Sequence, residues 1–241
     1  MPVATSLDRT RIHYELEGHG PAVVLQHGTG GSGQAWRDRG LVDAMKDRFQ
    51  LVLVDSRGHG QSDRSTNQPD YALPRRVEDL LAIIDHAGID RAHFYGFSMG
   101  GWIGYGILKY APERFDSVVI GGFGPVPDPY FGTDPADLAR RSVARRPDPR
   151  PNAYEVLHAV FRETAAFEGA EDAVRAAPIP LLFFAGTEEP RYESVKAAAT
   201  LNPNASFFEL PGLNHAQAGQ AADQYVPHLI TFFDSILPRP A

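Results

Sequence analysis

Cysteine is absent from this sequence of 241 residues. A chain without cysteine forms no disulfide framework, carries no thiol nucleophile and has no cysteine-based zinc site. Apolar runs are short as well: none approaches the roughly 20 residues that cross a bilayer. The charged residues between Asp8 and Glu17 interrupt any signal-peptide core. These absences predict a protein without membrane association and with a cytoplasmic location.

Basic residues are in the minority. Lys and Arg number 23 against 30 Asp and Glu, which gives a net charge of -7. Nucleic-acid-binding proteins gain affinity by neutralising phosphates, so this balance argues against a nucleic-acid partner. With 43% hydrophobic and 22% charged residues, the chain has the composition of an ordinary globular protein with one sizeable core.

Short apolar runs alternate with helical patterns. The segment 11–18 alternates polar and apolar residues and predicts an early antiparallel strand. Further runs are apolar throughout, which is typical of strands buried on both faces: 22–26, 51–55, 92–97, 117–122, 180–186 and 205–210. Segments between them, such as 74–88, carry apolar residues at helical spacing. The alternation predicts an α/β fold with a mostly parallel sheet and helices on both faces.

One stretch departs from this rhythm. Residues 125–178 are rich in proline and contain a cluster of arginines, namely Arg140, Arg141, Arg145, Arg146 and Arg150. We predict a core formed by residues 1–125 and 179–241, with residues 126–178 inserted as a small helical lid. The arginines could draw anionic substrates towards a crevice, or they could merely solvate a helix face beside acidic neighbours.

The glycine-rich segment HGTGGSG, residues 27–33, can be interpreted in two ways. Gly28, Gly30 and Gly33 fit the G-x-G-x-x-G pattern of a dinucleotide-binding loop, and Asp55 stands where a ribose partner would be expected. Four glycines in six residues disfavour a helix there, however, so a helix is expected only from Gln34 or Ala35 onward. An open loop of this kind favours an oxyanion-binding role, because its backbone N–H groups can approach a reacting carbonyl oxygen.

Two further motifs indicate nucleophilic catalysis. The segment GFSMG, residues 96–100, is a G-x-S-x-G between a predicted strand and a predicted helix, which presents Ser98 as a nucleophile on a tight turn. A serine needs a base to take its proton. Among nine histidines, His215 is the best candidate because it lies in a predicted loop beyond the last strand. That loop and Ser98 are expected at the same rim of the sheet.

The segments LQHGTGG, VDSRGHGQSD, GFSMGG, AGTEEP and LPGLNH, in this order, resemble those of the α/β-hydrolase superfamily over residues 10–237. The resemblance implies Ser98 as nucleophile, His215 as base and the backbone N–H groups of Thr29 and Met99 as the oxyanion hole. The family's acid position falls on Glu189, where Asp is more usual. Glu188 and Asp128 remain alternatives for the acid.

The implied activity is hydrolysis of a small to medium carboxylic ester or lactone through an acyl-enzyme, with a small-molecule substrate and no metal or organic cofactor. Serine in place of aspartate as nucleophile disfavours dehalogenase and epoxide-hydrolase activity. Two other functions stay open: a ligand-binding or signalling protein of this fold with little turnover, and an NAD(P)-dependent oxidoreductase based on the glycine loop.

Overall fold

One sheet of eight strands organises the protein in the computed structural model, which describes residues 2–125, 133–146, 148–164 and 169–236. The strands are β1 (Val3–Thr5), β2 (Arg11–Glu17), β3 (Ala22–Gln26), β4 (Gln50–Val54), β5 (Ala92–Phe97), β6 (Phe115–Gly121), β7 (Leu181–Gly186) and β8 (Ala205–Leu210). The helices are α1 (Gln34–Asp38), α2 (Leu41–Met45), α3 (Leu73–His86), α4 (Met99–Tyr110), α5 (Pro135–Arg145), α6 (Ala153–Thr164), α7 (Ala170–Ala176), α8 (Tyr192–Ala198), α9 (His215–Gln220) and α10 (Ala222–Ile236).

The sheet has the order β1-β2-β4-β3-β5-β6-β7-β8. The pairs β1–β2 and β2–β4 are antiparallel, and all the others are parallel. From β3 the chain steps to β4 on one side and then to β5 on the other, so the direction of winding reverses beside β3. Ligands of open parallel sheets bind outside the carboxyl ends of the strands at such a reversal.

Helices cover both faces of the sheet, as the alternation of apolar segments predicts. On one face, α3, α4, α7 and α8 pack against side chains such as Val24 and Phe94. On the other face, α1, α2 and α10 enclose Val23, Leu25 and Tyr95. Consecutive residues of β3 therefore point to opposite cores, which explains why this strand is apolar at every position.

Strand β8 differs from the sequence-based expectation. Its segment is apolar enough to predict burial on both faces, yet only Leu210 is fully buried, and Phe207 and Phe208 are half-buried. The reason is position: β8 is the last strand of the sheet and pairs only with β7. The sequence pattern also missed β1, since a strand of three residues is too short to display an alternation.

Helices α5 and α6 lie between β6 and β7 in the chain and pack against the loops that leave β3 and β4. A Cβ on Gly30 would lie 2.9 Å from the hydroxyl oxygen of Ser142 on α5, and one on Gly58 would lie 3.1 Å from Val156 on α6. Helix α7 instead contributes Ala173 and Val174 to the core beside α4. Among the helices of the described ranges, none combines the length and apolarity needed to cross a membrane.

Candidate active site

The candidate site lies where several parallel strands end at the same level. Gln26 at the end of β3 pairs with Gly96 of β5, and Phe97 pairs with Gly121 of β6. The loops that leave these strands therefore begin side by side. Because β7 and β8 also run in this direction, the loops after β3, β5, β7 and β8 open onto one crevice.

Ser98 occupies the turn between β5 and α4 in a conformation that few non-glycine residues adopt. Its φ is 57° and its ψ is -115°, and its N–H donates to the carbonyl oxygen of Gly121 at 2.8 Å. The helix that follows is pressed against β3, because a Cβ on Gly100 would lie 2.1 Å from the carbonyl oxygen of Gln26. Only glycine fits there. The turn holds the serine hydroxyl above the sheet at the start of a helix.

His215 contacts both of its predicted partners. Its Nε2 lies 2.9 Å from Oγ of Ser98, and its Nδ1 lies 2.6 Å from Oε1 of Glu189. An ionised carboxylate only accepts hydrogen bonds, so Nδ1 is the donor towards Glu189. Nε2 of the neutral ring is then left to accept the proton of the Ser98 hydroxyl. The Glu189 side chain is fully buried, whereas that of His215 is 32% exposed.

The histidine ring is fixed by packing as well as by hydrogen bonds. It stacks on the ring of Phe97 with centroids 5.0 Å apart and planes 27° apart. His215 is also the first residue of α9, so the prediction that it lies in a loop was wrong. Asn214 caps this helix in a reciprocal capping box with Gln217. The N-x-x-Q pattern was the sequence signal that could have located the helix start.

The two neighbouring glutamates after β7 have different environments. Glu189 is buried, and its N–H donates to the carbonyl oxygen of Gly186 at 3.1 Å, which turns its side chain towards His215. Glu188 is exposed, although it lines the same cavity. Arg191 lies 3.8 Å from Glu189 and adds a positive charge beside that carboxylate. Asp128, the other candidate acid, lies outside the described residues.

Thr29 and Met99 line the same cavity as Ser98. The loop that carries Thr29 approaches the serine closely, because a Cβ on Gly28 would lie 3.2 Å from Cβ of Ser98. The N–H of Gly31 donates to the carbonyl oxygen of Gly28 at 3.0 Å and closes a turn around Thr29. The predicted helix start after this loop is confirmed, since α1 begins at Gln34.

His27 has a role that the sequence did not reveal. It is fully buried; its Nδ1 donates to the carbonyl oxygen of Gly28 at 2.8 Å, and its Nε2 accepts from the N–H of Ser56 at 3.2 Å. The imidazole thereby joins the glycine loop to the loop after β4. Both ring nitrogens are used only when the ring is neutral and carries its proton on Nδ1.

Asp55 is engaged in holding loops together and is not available to a ribose. It is 5% exposed, and its carboxylate accepts from the N–H groups of Gly33 and Gln61, each at 2.8 Å. A third bond, of 2.9 Å, joins it to Nδ1 of His13. Asp55, which occupied the position of a ribose partner in the dinucleotide-binding interpretation, is thus a buried carboxylate with a structural role. Within the described ranges, no group of three or more His, Asp or Glu side chains could hold a metal ion.

A cavity of about 600 Å³ opens over this site. Its floor includes Ser98 and His215, and apolar side chains such as Leu138 of α5 and Phe161 of α6 form part of its wall. A volume of this size is typical of pockets for small molecules. The arrangement therefore joins a hydroxyl, an imidazole and a carboxylate in series at the base of a pocket of small-molecule size.

The neutral state of His27 predicts a pH dependence of folding. Burial lowers the pKa of His27 to about 4, against 6.5 in an unfolded chain. Between these two pH values the imidazole is protonated in the unfolded state but not in the folded state. The contribution of His27 to the free energy of unfolding is therefore complete above pH 6.5 and is lost as the pH falls towards 4. The difference corresponds to at most about 3 kcal/mol. His59, also buried, has its pKa lowered by burial and acts in the same direction.

We therefore expect His27→Gln to lower the free energy of unfolding at pH 7 but to reduce its loss between pH 7 and pH 4.5. Urea denaturation at both pH values measures this difference. His19 is exposed, and His19→Gln is the matched control that should keep the pH dependence of the unaltered protein. An unchanged pH dependence in His27→Gln would contradict the expectation.

A family model described as the alpha/beta hydrolase fold matches residues 21–148, which is 128 of the 241 residues. RutD of Caulobacter sp. (strain K31), which is named as a carbamate hydrolase, is 34% identical over 125 residues, covering 50% of this chain and 45% of RutD. The 3-oxoadipate enol-lactonase 1 of Acinetobacter baylyi is 37% identical over 100 residues, covering 42% of this chain and 36% of that protein. The chain thus spans less than half the length of these curated relatives.

Among solved structures, the enol-lactonase from Burkholderia xenovorans LB400 matches with a TM-score of 0.83 at 21% identity. The match covers 97% of this chain and 100% of that one. At this level of identity the similarity concerns the fold alone, because one fold supports many functions.

Proposed function

The chain belongs to the α/β-hydrolase family, and we propose that it is a serine hydrolase that cleaves a carboxylic ester or lactone of small to medium size. The contact series from Ser98 through His215 to Glu189, with distances of 2.9 Å and 2.6 Å, carries the proposal. A serine hydroxyl becomes an effective nucleophile when a neighbouring base takes its proton, and the base in turn needs an orienting partner.

In the proposed first half-reaction, Oγ of Ser98 attacks the carbonyl carbon of the ester while Nε2 of His215 takes the hydroxyl proton. The carbonyl oxygen becomes an oxyanion. When the intermediate collapses, the bond to the alcohol oxygen breaks and His215 returns the proton to that oxygen. An acyl-enzyme on Ser98 remains. Glu189 keeps the imidazole in the tautomer that can accept at Nε2 and stabilises the imidazolium that forms.

In the second half-reaction a water molecule replaces the alcohol. His215 takes a proton from the water, which attacks the acyl carbon, and the ester bond to Ser98 breaks with return of that proton to Oγ. A lactone follows the same two steps, except that its alcohol stays attached to the acyl group. The proposed reaction thus uses only side chains, backbone N–H groups and water.

We assign stabilisation of the oxyanion to the N–H groups of Thr29 and Met99. Met99 is the first residue of α4, so its N–H has no acceptor within the helix and lies at the positive end of the helix dipole. The close approach of Gly28 to Ser98 supports the participation of Thr29. Donors aimed at the developing charge are among the largest contributions to catalysis of acyl transfer.

The substrate class rests on the pocket and on the names of relatives. A cavity of about 600 Å³ suits a small to medium acyl group, and within the inserted segment α5 and α6 would serve as a lid over it. One relative is named as an enol-lactonase, and RutD is named as a carbamate hydrolase. Lactone, ester and carbamate cleavage share attack on a carbonyl carbon by a nucleophile.

Turnover of a panel of chromogenic esters and lactones tests the proposal. We expect multiple turnovers on at least one short-chain ester, and phosphonate labelling that mass spectrometry locates on Ser98. The chief alternative is a ligand-binding protein of the same fold. It predicts tight binding of a panel member with no turnover, and that result would replace our proposal.

A further inference from the structure

Arginine side chains gather around the candidate site, although the chain as a whole carries a net charge of -7. A second cavity of about 510 Å³ adjoins the first, and the two share part of their walls. Six arginines line one or both cavities: Arg39, Arg64, Arg145, Arg146, Arg150 and Arg191. Four carboxylates face them: Asp38, Asp148, Glu188 and Glu189. Counted over the described residues, the charge lining the two cavities is therefore positive, whereas the net charge of the whole chain is negative.

Arg39 and Arg146 line both cavities, and we call these two residues the arginine wall. Arg39 directly follows α1, and its guanidinium lies over the ring of Trp36 at 5.1 Å. Its Nη1 is buried and has no hydrogen-bond partner among the described residues. No carboxylate in the described ranges forms an ion pair with either member of the wall.

Arg146 directly follows α5, which packs on the glycine loop through Ser142. Burial lowers the pKa of Arg146, and the nearby guanidiniums of Arg39 and Arg145 lower it further. Like charges thus approach one another here, in the part of the chain that the structure describes, without a carboxylate between them. Arg146 stays exposed to solvent, so water screens part of this repulsion, and an anion bound beside the guanidiniums would relieve the rest.

Three of the four carboxylates that line the two cavities are engaged elsewhere. Glu189 contacts His215, and Asp38 accepts a hydrogen bond from Gln34. Asp148 accepts a bond of 2.7 Å from Arg150 and lies 3.4 Å from Arg64. Glu188 is exposed to solvent. Among the described residues, no carboxylate therefore neutralises the arginine wall, and its positive charge can attract an anionic ligand.

We infer that the arginine wall binds a carboxylate of the substrate that is remote from the bond to be cleaved. The substrate class would then be a monoester or lactone of a dicarboxylic acid, an inference that rests on the proposed function. One small molecule can reach both places, because Arg39, Arg146 and Ser98 line the same cavity. Guanidinium groups suit this task, since their planar N–H donors match the two oxygens of a carboxylate.

The arginines that cluster in the sequence have different environments in the structure. Arg140 is paired with Asp137 on the surface, and Arg141 is exposed and lines neither cavity. Arg150 is held by Asp148. Arg145 lines the first cavity alone, whereas Arg146 lines both cavities together with Arg39, from which it is separated by more than 100 positions in the chain.

Two esters with the same five-carbon acyl chain test the inference: 4-nitrophenyl hydrogen glutarate, which ends in a carboxylate, and 4-nitrophenyl pentanoate, which does not. We expect the protein to prefer the glutarate ester in kcat/KM. Arg39→Gln and Arg146→Gln should each reduce the ratio of the two kcat/KM values by about 10- to 100-fold, as loss of a charge-assisted hydrogen bond does. Arg141→Gln is the matched control and should keep the ratio, because Arg141 lies on α5, the helix that Arg146 directly follows, but lines neither cavity.

The outcomes separate this inference from the proposed function. Equal kcat/KM on the two esters, or variants that lower both equally, would overturn the arginine wall while leaving the hydrolase intact. If neither ester is turned over, the proposed function fails on this panel. Titration calorimetry with glutarate then decides: binding that weakens in Arg39→Gln and Arg146→Gln but not in Arg141→Gln supports the anion site, and binding equal in all four proteins overturns it.

Discussion

Replacement of Ser98 by alanine is expected to lower kcat for ester hydrolysis by about 10⁴- to 10⁶-fold, because among the described residues Ser98 is the hydroxyl that hydrogen-bonds to His215. Oγ of Ser98 is the atom that the imidazole of His215 contacts at 2.9 Å. A residual rate above that of water alone would remain, since the pocket and the backbone N–H groups persist in the variant. Steady-state kinetics on the best ester of the panel measures the effect.

Ser142→Ala is the matched control for this experiment. Ser142 also lines the cavity and is buried, but it lies on α5, and the ring of His215 hydrogen-bonds to Ser98 and Glu189 instead. Its removal should change kcat by far less. Circular dichroism and the free energy of unfolding must stay close to those of the unaltered protein in both variants. A well-folded Ser98→Ala protein that hydrolyses esters at a normal rate would refute Ser98 as nucleophile.

Replacement of Glu189 by glutamine is expected to lower kcat by about 10⁴-fold, the loss that follows when a triad carboxylate becomes an amide. Glutamine is close to glutamate in shape but carries no charge, so it cannot stabilise the imidazolium of His215. It can also present its NH₂ group to Nδ1 and so favour the wrong tautomer of the ring. Because Glu189 is buried and 2.6 Å from Nδ1, water cannot easily replace it.

Glu188→Gln provides a control of the same chemistry one residue away. Glu188 lines the cavity but is exposed to solvent, so its variant should keep kcat within a few-fold of the unaltered value. Asp128→Asn completes the set, although that residue lies outside the described residues. Should Glu189→Gln retain its activity while one of the other two loses it, the role of acid passes to the residue whose variant failed.

Sequence patterns were sufficient to predict the parallel sheet and to predict that the site residues meet at one edge of it. Uninterrupted apolar runs at 22–26 and 92–97 require burial on both faces, and a parallel sheet between helices is the arrangement that supplies it. The strands of such a sheet end at a common edge. Loop residues that follow them in the sequence, such as Ser98 and His215, are therefore brought near one another.

The choice between neighbours required the tertiary structure. The family resemblance favoured Glu189 over Glu188, but the local pattern of these two adjacent and chemically identical residues does not show which side chain turns towards the interior. The turn after β7, closed by the bond from Glu189 to Gly186, buries one side chain and leaves the other in solvent. The role of Asp55 also required the tertiary structure, because its hydrogen-bond partners Gly33 and Gln61 come from two separate loops.

The sequence by itself determined the α/β architecture. The spacing of apolar residues within each segment indicates whether that segment forms a strand or a helix and which of its faces is buried. The G-x-S-x-G motif was also recognisable in the sequence, because Gly96 and Gly100 flank Ser98, although the atom that excludes a side chain at Gly100 is the carbonyl oxygen of Gln26 on β3. Contacts between segments far apart in the chain were decided only by the tertiary structure: the use of both nitrogens of His27, the burial of Glu189, and the approach of Arg39 to Arg146. These depend on how helices and loops pack in three dimensions, and a one-dimensional pattern does not contain that information.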